Sequence, residues 1–222
     1  MDDVKKRCKR VSIFSILISV VIIVSGCFQS VEPSVIVGHE RRISQSPATI
    51  APPEMAHPTY FAKYPLGWIL PKGKERHWKA IIIHHSGQSK GNMTMFDKYH
   101  REVKGWDGVG YDFVIGNGGG STDGKVEVTF RWRKQIAGAH CGGTPSNWAN
   151  ESGIGICLVG DFTRTKPTYR QMLALRKLVR FLQKRYKIPT SKIYGHSTTP
   201  GYTRGSICPG KYFPMAKFKR SL

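Results

Sequence analysis

Four histidines and one cysteine in this 222-residue chain stand at positions where side chains that bind metals or move protons collect. His84 and His85 close the apolar run WKAIIIHH, His140 lies in AGAHCGG, and His196 and Cys208 share the Gly- and Pro-rich segment YGHSTTPGYTRGSICPG. A buried strand is apolar because the core demands it, so two histidines closing one need partners, which a metal or a carboxylate would supply. Successive strand residues point to opposite faces, so only one of His84 and His85 can join His196 and Cys208. One imidazole from that strand, His196 and Cys208 make three N/S ligands, the set a catalytic zinc takes while keeping its fourth position open. Zinc in such a site deprotonates a thiol, polarises a carbonyl and brings bound water to a pKa of about 7, which is hydrolytic chemistry. The remaining histidines read otherwise. His39 and His57 fall in a Pro-rich segment, His77 precedes the strand, and His100 lies on the apolar face of a predicted helix as a satisfied core residue.

The elements that must position these groups alternate along the chain. Residues 78–84 (WKAIIIH), 110–115 (GYDFVI) and 153–160 (GIGICLVG) read as strands, with another expected near 126–132 and a short last one at 191–194. Thr94 can cap a helix with Phe96, Tyr99, His100 and Val103 on one face. Thr168 and Gln171 form a capping-box pattern before a stripe of Leu175, Leu178, Val179, Leu182 and Tyr186. This alternation predicts an α/β domain over residues 75–222, with a mixed central β-sheet flanked by helices.

Upstream, MDDVKKRCKR is basic and residues 11–26 carry no charge, ending in Val24-Ser25-Gly26-Cys27. This pattern is similar to a lipoprotein-type signal peptide over residues 1–26, with Cys27 as the lipidated residue. An uncleaved anchor or a plain signal peptide would export the domain equally. Residues 27–74 read as a Pro-rich tether, with aromatics from Tyr60 onward (Phe61, Tyr64, Trp68) beginning to lie against the domain. The expectation is an exported protein, lipid-anchored to a bacterial membrane and facing the cell wall or periplasm. Export also sets aside nucleic acid as the partner of its net charge of +21. Between Arg164 and the C-terminus there are 15 Lys and Arg and no acidic side chain, which reads as a solvated basic face or a surface for anionic wall polymers or lipid. Beyond Cys8 and Cys27 the cysteines number three; with Cys208 on a metal, Cys141 and Cys157 could bridge or stay as separate thiols, and the unpaired state is the expectation.

In the order WKAIIIHHSG, GWDGVGYDFVIG, GAHCGG with GIGICLVGDF, PTYRQMLALRKLV and YGH…CPG, residues 77–213 resemble the type 2 N-acetylmuramoyl-L-alanine amidases. That family includes phage T7 lysozyme and the peptidoglycan recognition proteins. The resemblance implies their fold and zinc-dependent hydrolysis of the amide between N-acetylmuramic acid and L-alanine in peptidoglycan, with non-catalytic peptidoglycan binding as the alternative. It implies that His84, His196 and Cys208 hold Zn²⁺, that Tyr111 assists at the reacting carbonyl, and that His140, the histidine lining the groove, joins Tyr111 as a catalytic residue at the oxyanion. The twelve-residue interval from His196 to Cys208 is longer than the family's. Ser206 stands two before the cysteine, where the family often has a catalytic Lys or Thr. A serine hydroxyl can hydrogen-bond an oxyanion but carries no charge, which leaves Arg204 on the enlarged loop as a substitute. GIGICLVG also lacks the glutamate that some members use as acid and base.

Overall fold

The structure, a computed structural model, describes residues 63–70, 73 and 75–222. The expected signal peptide, Cys27 and most of the tether lie outside the described residues. Five strands, β1 (Ala80–His85), β2 (Phe113–Ile115), β3 (Val126–Val128), β4 (Gly153–Leu158) and β5 (Ile193–Gly195), form one sheet in the order β3-β2-β4-β1-β5. β2, β4, β1 and β5 run parallel, and β3 is antiparallel to β2, so the sheet is mixed as expected. The two central strands, β4 and β1, are the two longest apolar runs, because both of their faces are covered. Among the described residues five helices flank the sheet: α1 (Met93–Glu102), α2 (Phe130–Lys134), α3 (Trp148–Ser152), α4 (Tyr169–Tyr186) and α5 (Met215–Arg220).

One face of the sheet packs on α4, where Ile81, Ile83, Phe113, Ile154 and Ile156 share a core with Leu175, Leu178, Val179 and Leu182. Each such side chain contributes about 1.5–3 kcal/mol by leaving water. α4 starts at the expected capping box: Thr168 Oγ1 accepts from the Gln171 amide at 3.0 Å, and Gln171 Oε1 accepts from the Thr168 amide at 3.1 Å. Gln171 also donates to the carbonyls of Ile115 and Val159, fixing the helix to the ends of β2 and β4.

The opposite face carries the alternate residues of the same strands. Its apolar packing divides into two patches, one of Phe96, Val109, Val114, Cys157 and Val159, the other of Ala80, Ile82, Cys141 and Ala149. His84 follows Ile82 by two residues and pairs in register with Cys157, so it stands between the patches.

Several elements differ from expectation for local reasons. The strand expected over 126–132 stops at Val128, because Thr129 Oγ1 accepts from the Arg131 amide at 3.2 Å and caps α2. α1 is capped by Asn92 rather than Thr94, its Oδ1 accepting from the Met95 amide at 2.8 Å. On that helix Phe96 and His100 are buried while Tyr99 and Val103 are exposed, and His100 Nδ1 accepts the Gly110 amide at 3.0 Å. The packed unit extends N-terminally of residue 75, since Trp68 and Leu70 are buried in the main core and Tyr64 packs on Phe181. Cys141, Cys157 and Cys208 are buried and unpaired. Among the described residues no helix is long and apolar enough to cross a membrane.

Candidate metal centre

Strand alternation turns His84 into the gap between the two patches and His85 toward the other face. There His85 Nδ1 accepts the Phe162 amide at 3.0 Å and lies 3.8 Å from Asp161. Gly195 ends β5 opposite Ile83, so the next residue, His196, arrives level with His84, and their ring centroids are 4.7 Å apart. The following loop reverses and brings back Cys208, whose carbonyl accepts the Ser197 amide at 2.8 Å. Ser206 Oγ accepts the Cys208 amide at 3.1 Å, which sets the turn that presents the sulfur.

The ligand atoms of His84, His196 and Cys208 lie within 4.8 Å of one another. Cys208 Sγ is 3.7 Å from His84 Nδ1. Tetrahedral bonds of about 2.3 Å to sulfur and about 2.05 Å to nitrogen put those two atoms about 3.6 Å apart. His196 Nε2 is buried with no hydrogen-bond partner, and native proteins rarely leave such an atom unpaired. Cys208 Sγ also receives the His85 amide at 3.3 Å, a contact that favours a thiolate. An orphaned imidazole nitrogen beside a sulfur that already receives an N–H fits a metal ion, and a two-nitrogen, one-sulfur donor set suits zinc.

The electrostatics agree with that fit. Burial, reinforced by His140 and His196, holds the His84 imidazole well below its usual range. Burial likewise lowers His196 to about 4 and His140 to about 3. All three are therefore neutral at pH 7, the state in which an imidazole can ligate. The Cys208 thiol is pushed up to about 12 by burial, with the His85 amide pulling the other way.

Four further residues named by the sequence lie at or beside this cluster. The Tyr111 ring centroid is 5.2 Å from that of His84, and the ring packs against the patch that holds Cys157. Burial, with Cys157 and Cys208 close by, raises Tyr111 well above its usual pKa, so it stays a neutral donor. His140 is buried behind His84, its Nδ1 3.1 Å from His84 Nε2 and its Nε2 3.2 Å from the Gly153 carbonyl oxygen. Ser206 enters through the backbone of Cys208, as described above. Arg204 runs along Gly142 and Gly143, where Thr203 donates to the Gly143 carbonyl through both its amide (3.2 Å) and its hydroxyl (3.1 Å).

The structure adds residues that sequence reasoning missed. Asn150 on α3 accepts the amides of His140 and Cys141 at 2.9 and 2.8 Å through one side-chain oxygen. Tyr202 sets its ring edge-on to His196 at 4.5 Å. Gly155 leaves the space on the sheet face that the His140 ring occupies, and its amide donates at 2.8 Å to Asp112, whose carboxyl is pushed up to about 7 by burial. A glycine inside an apolar strand marks a close approach, and that signal was present in GIGICLVG.

Comparison with known proteins gives the family. The N-acetylmuramoyl-L-alanine amidase family matches residues 74–211, and the chain belongs to that family. Peptidoglycan-recognition protein 1 of Holotrichia diomphalia is 30% identical over 109 residues, 46% of this chain and 49% of that protein. Peptidoglycan-recognition protein LB of Drosophila melanogaster is 29% identical over 155 residues, 64% of this chain and 60% of that protein. The chain thus spans about half of the first of these relatives, and only 13% of the human N-acetylmuramoyl-L-alanine amidase, to which it is 32% identical over 85 residues, 38% of this chain. The solved structure of the N-acetylmuramoyl-L-alanine amidase LysC from Clostridium intestinale superposes with a TM-score of 0.55 at 26% identity, covering 69% of this chain and 91% of that one. Bumblebee PGRP-SA, at a TM-score of 0.51 and 24% identity over 66% of this chain and 83% of that one, shares the fold.

Proposed function

We propose that this chain is a zinc-dependent amidase that hydrolyses the bond between N-acetylmuramic acid and L-alanine in peptidoglycan. The observation that carries this reading is the His84–His196–Cys208 cluster, complete and with His196 Nε2 left without a partner. These three residues would hold zinc, which supplies Lewis acidity and an activated water. Tyr111, neutral and beside His84, donates a hydrogen bond to the carbonyl oxygen as negative charge develops there. Arg204 brings positive charge to the enlarged loop and suits a carboxylate of the stem peptide. The test is to incubate the purified protein with cell-wall sacculi and zinc and to assay newly exposed L-alanine amino groups. Wild type should release them and Cys208→Ser should not, and no release by the zinc-loaded wild type would overturn the proposal.

Two observations favour a second reading, a peptidoglycan-binding protein that does not cut. β4 sets Cys157, not a carboxylate, in register with His84, and the Ser206 hydroxyl is engaged by the Cys208 amide. A chain without a proton carrier would bind stem peptides with the same affinity before and after Cys208→Ser and release no amine.

The basic N-terminus, the uncharged run and Val24-Ser25-Gly26-Cys27 support a lipid anchor at Cys27 that holds the domain at a bacterial membrane, facing the wall. The acid-free C-terminal third supports contact with anionic wall polymers. Cys27→Ala is expected to move the protein from the membrane fraction to the soluble one, and retention after a high-salt wash would argue for an uncleaved anchor instead.

A further inference from the structure

The hydrogen bonds around His140 form a chain whose direction is set by its two ends. A carbonyl oxygen only accepts, so His140 Nε2, 3.2 Å from Gly153 O, carries a proton. His140 Nδ1 and His84 Nε2 face each other at 3.1 Å, and a hydrogen bond between two ring nitrogens holds one proton, on one of them. The other nitrogen of His84, Nδ1, lies 3.7 Å from Cys208 Sγ on the side of the ligand cluster, and a nitrogen that binds a metal must be bare. The proton of His84 therefore sits on Nε2 and is donated to His140 Nδ1, whose own ring carries its proton on the Nε2 that faces Gly153.

We infer that His140 is a positioning residue that fixes His84 in the one tautomer able to offer Nδ1 to the metal, with the Gly153 carbonyl as the fixed end of the relay. The frame around it is built for one ring orientation. Asn150 holds the backbone amides of His140 and Cys141, while the bare α-carbons of Gly138 and Gly155 flank the ring. A ring so held has both nitrogens committed and none to spare for a substrate. Metal-bound histidines ordinarily hand their second nitrogen to a carboxylate, a carbonyl or water, and loss of that partner typically weakens metal binding 10–100-fold. Here a neutral imidazole relays the carbonyl, so His84 receives orientation without added negative charge.

The inference rests on the metal-binding reading of the cluster but not on the amide-cleaving reaction, and its test does not use peptidoglycan. Zinc affinity is measured by chelator competition on wild type, His140→Leu and His140→Asn, with thermal unfolding to confirm folding. Leucine fills the space without an acceptor and is expected to weaken zinc about 10–100-fold. Asparagine offers an oxygen near the place of Nδ1 and is expected to retain most of the affinity. A residue that only packs would give the opposite order, with leucine the better replacement, and that result overturns the inference. Nitrogen-15 NMR of the zinc-free wild type provides a reading that needs no variant. Both His84 and His140 should be protonated at Nε2 and bare at Nδ1, and a His84 protonated at Nδ1 would also overturn it. Unchanged zinc affinity in both variants would likewise refute the positioning role.

Discussion

Zinc affinity is expected to rise about tenfold per pH unit between roughly pH 5 and 8, about a thousandfold in all, because binding there displaces one proton from the protein. The sign follows from the free site. His84 and His196 are held far below neutrality, His196 to about 4, and so have no proton to lose in that range. Cys208, pushed up to about 12, is fully protonated and must give up its proton to become a ligand. Each unit of rising pH therefore lowers the competing proton tenfold for one group only. An exposed pair of histidines with a pKa of about 6.5 would steepen the dependence to roughly the third power below pH 6. Competition titrations at a series of pH values separate the two cases, and a slope near three below pH 6 would contradict the buried, neutral character of the pair.

The second large effect concerns Tyr111. Removing one preorganised donor from a developing oxyanion typically costs about 10²–10³ in kcat. Tyr111→Phe is expected to lose turnover on sacculi by that factor while zinc affinity stays within about twofold, since the ring stays in place and only the hydroxyl leaves. The Cys157 thiol keeps its own acceptor, the Leu158 carbonyl at 3.8 Å, so the change strands no buried group there. Turnover within about threefold of wild type would remove Tyr111 from the reaction, and equal losses of turnover and zinc affinity would show that it supports the metal site rather than the substrate.

Much of the site was legible in the order of residues because strand physics is periodic. The apolar run before His84 fixed a buried central strand, and alternation required that His84 and His85 part company. Which of the two joins Cys208 depends on register with neighbours far along the chain, and the resemblance supplied what periodicity could not. Thr168 and Gln171 announced α4 because a capping box is local chemistry. α3 and α5, with five and six residues, are too short to display a helical period. Thr129 ended a strand through one side-chain hydrogen bond that composition does not reveal. The least legible feature was the placement of His140. Its partners are a carbonyl 13 positions onward and a ring 56 positions back, and neither has a sequence signature.

The two bare positions against which the His140 ring rests also bear on how such a chain can change over generations. A methyl group at Gly138 or Gly155 would sit closer to that ring than real side-chain carbons approach. Neither glycine can drift to alanine while the histidine remains, and a histidine that shrank would leave a hole beside Gly155, in the central strand β4. The three positions are therefore locked to one another across a stretch of 18 residues, and substitutions there succeed only in company. In a library randomised at 138, 140 and 155, survivors should fall into few combinations, with alanine at 155 tolerated only where 140 has become small. Evolution of this cleft would then move by joint replacement at its floor, while the outer loop carrying Tyr202 and Arg204 varies one residue at a time.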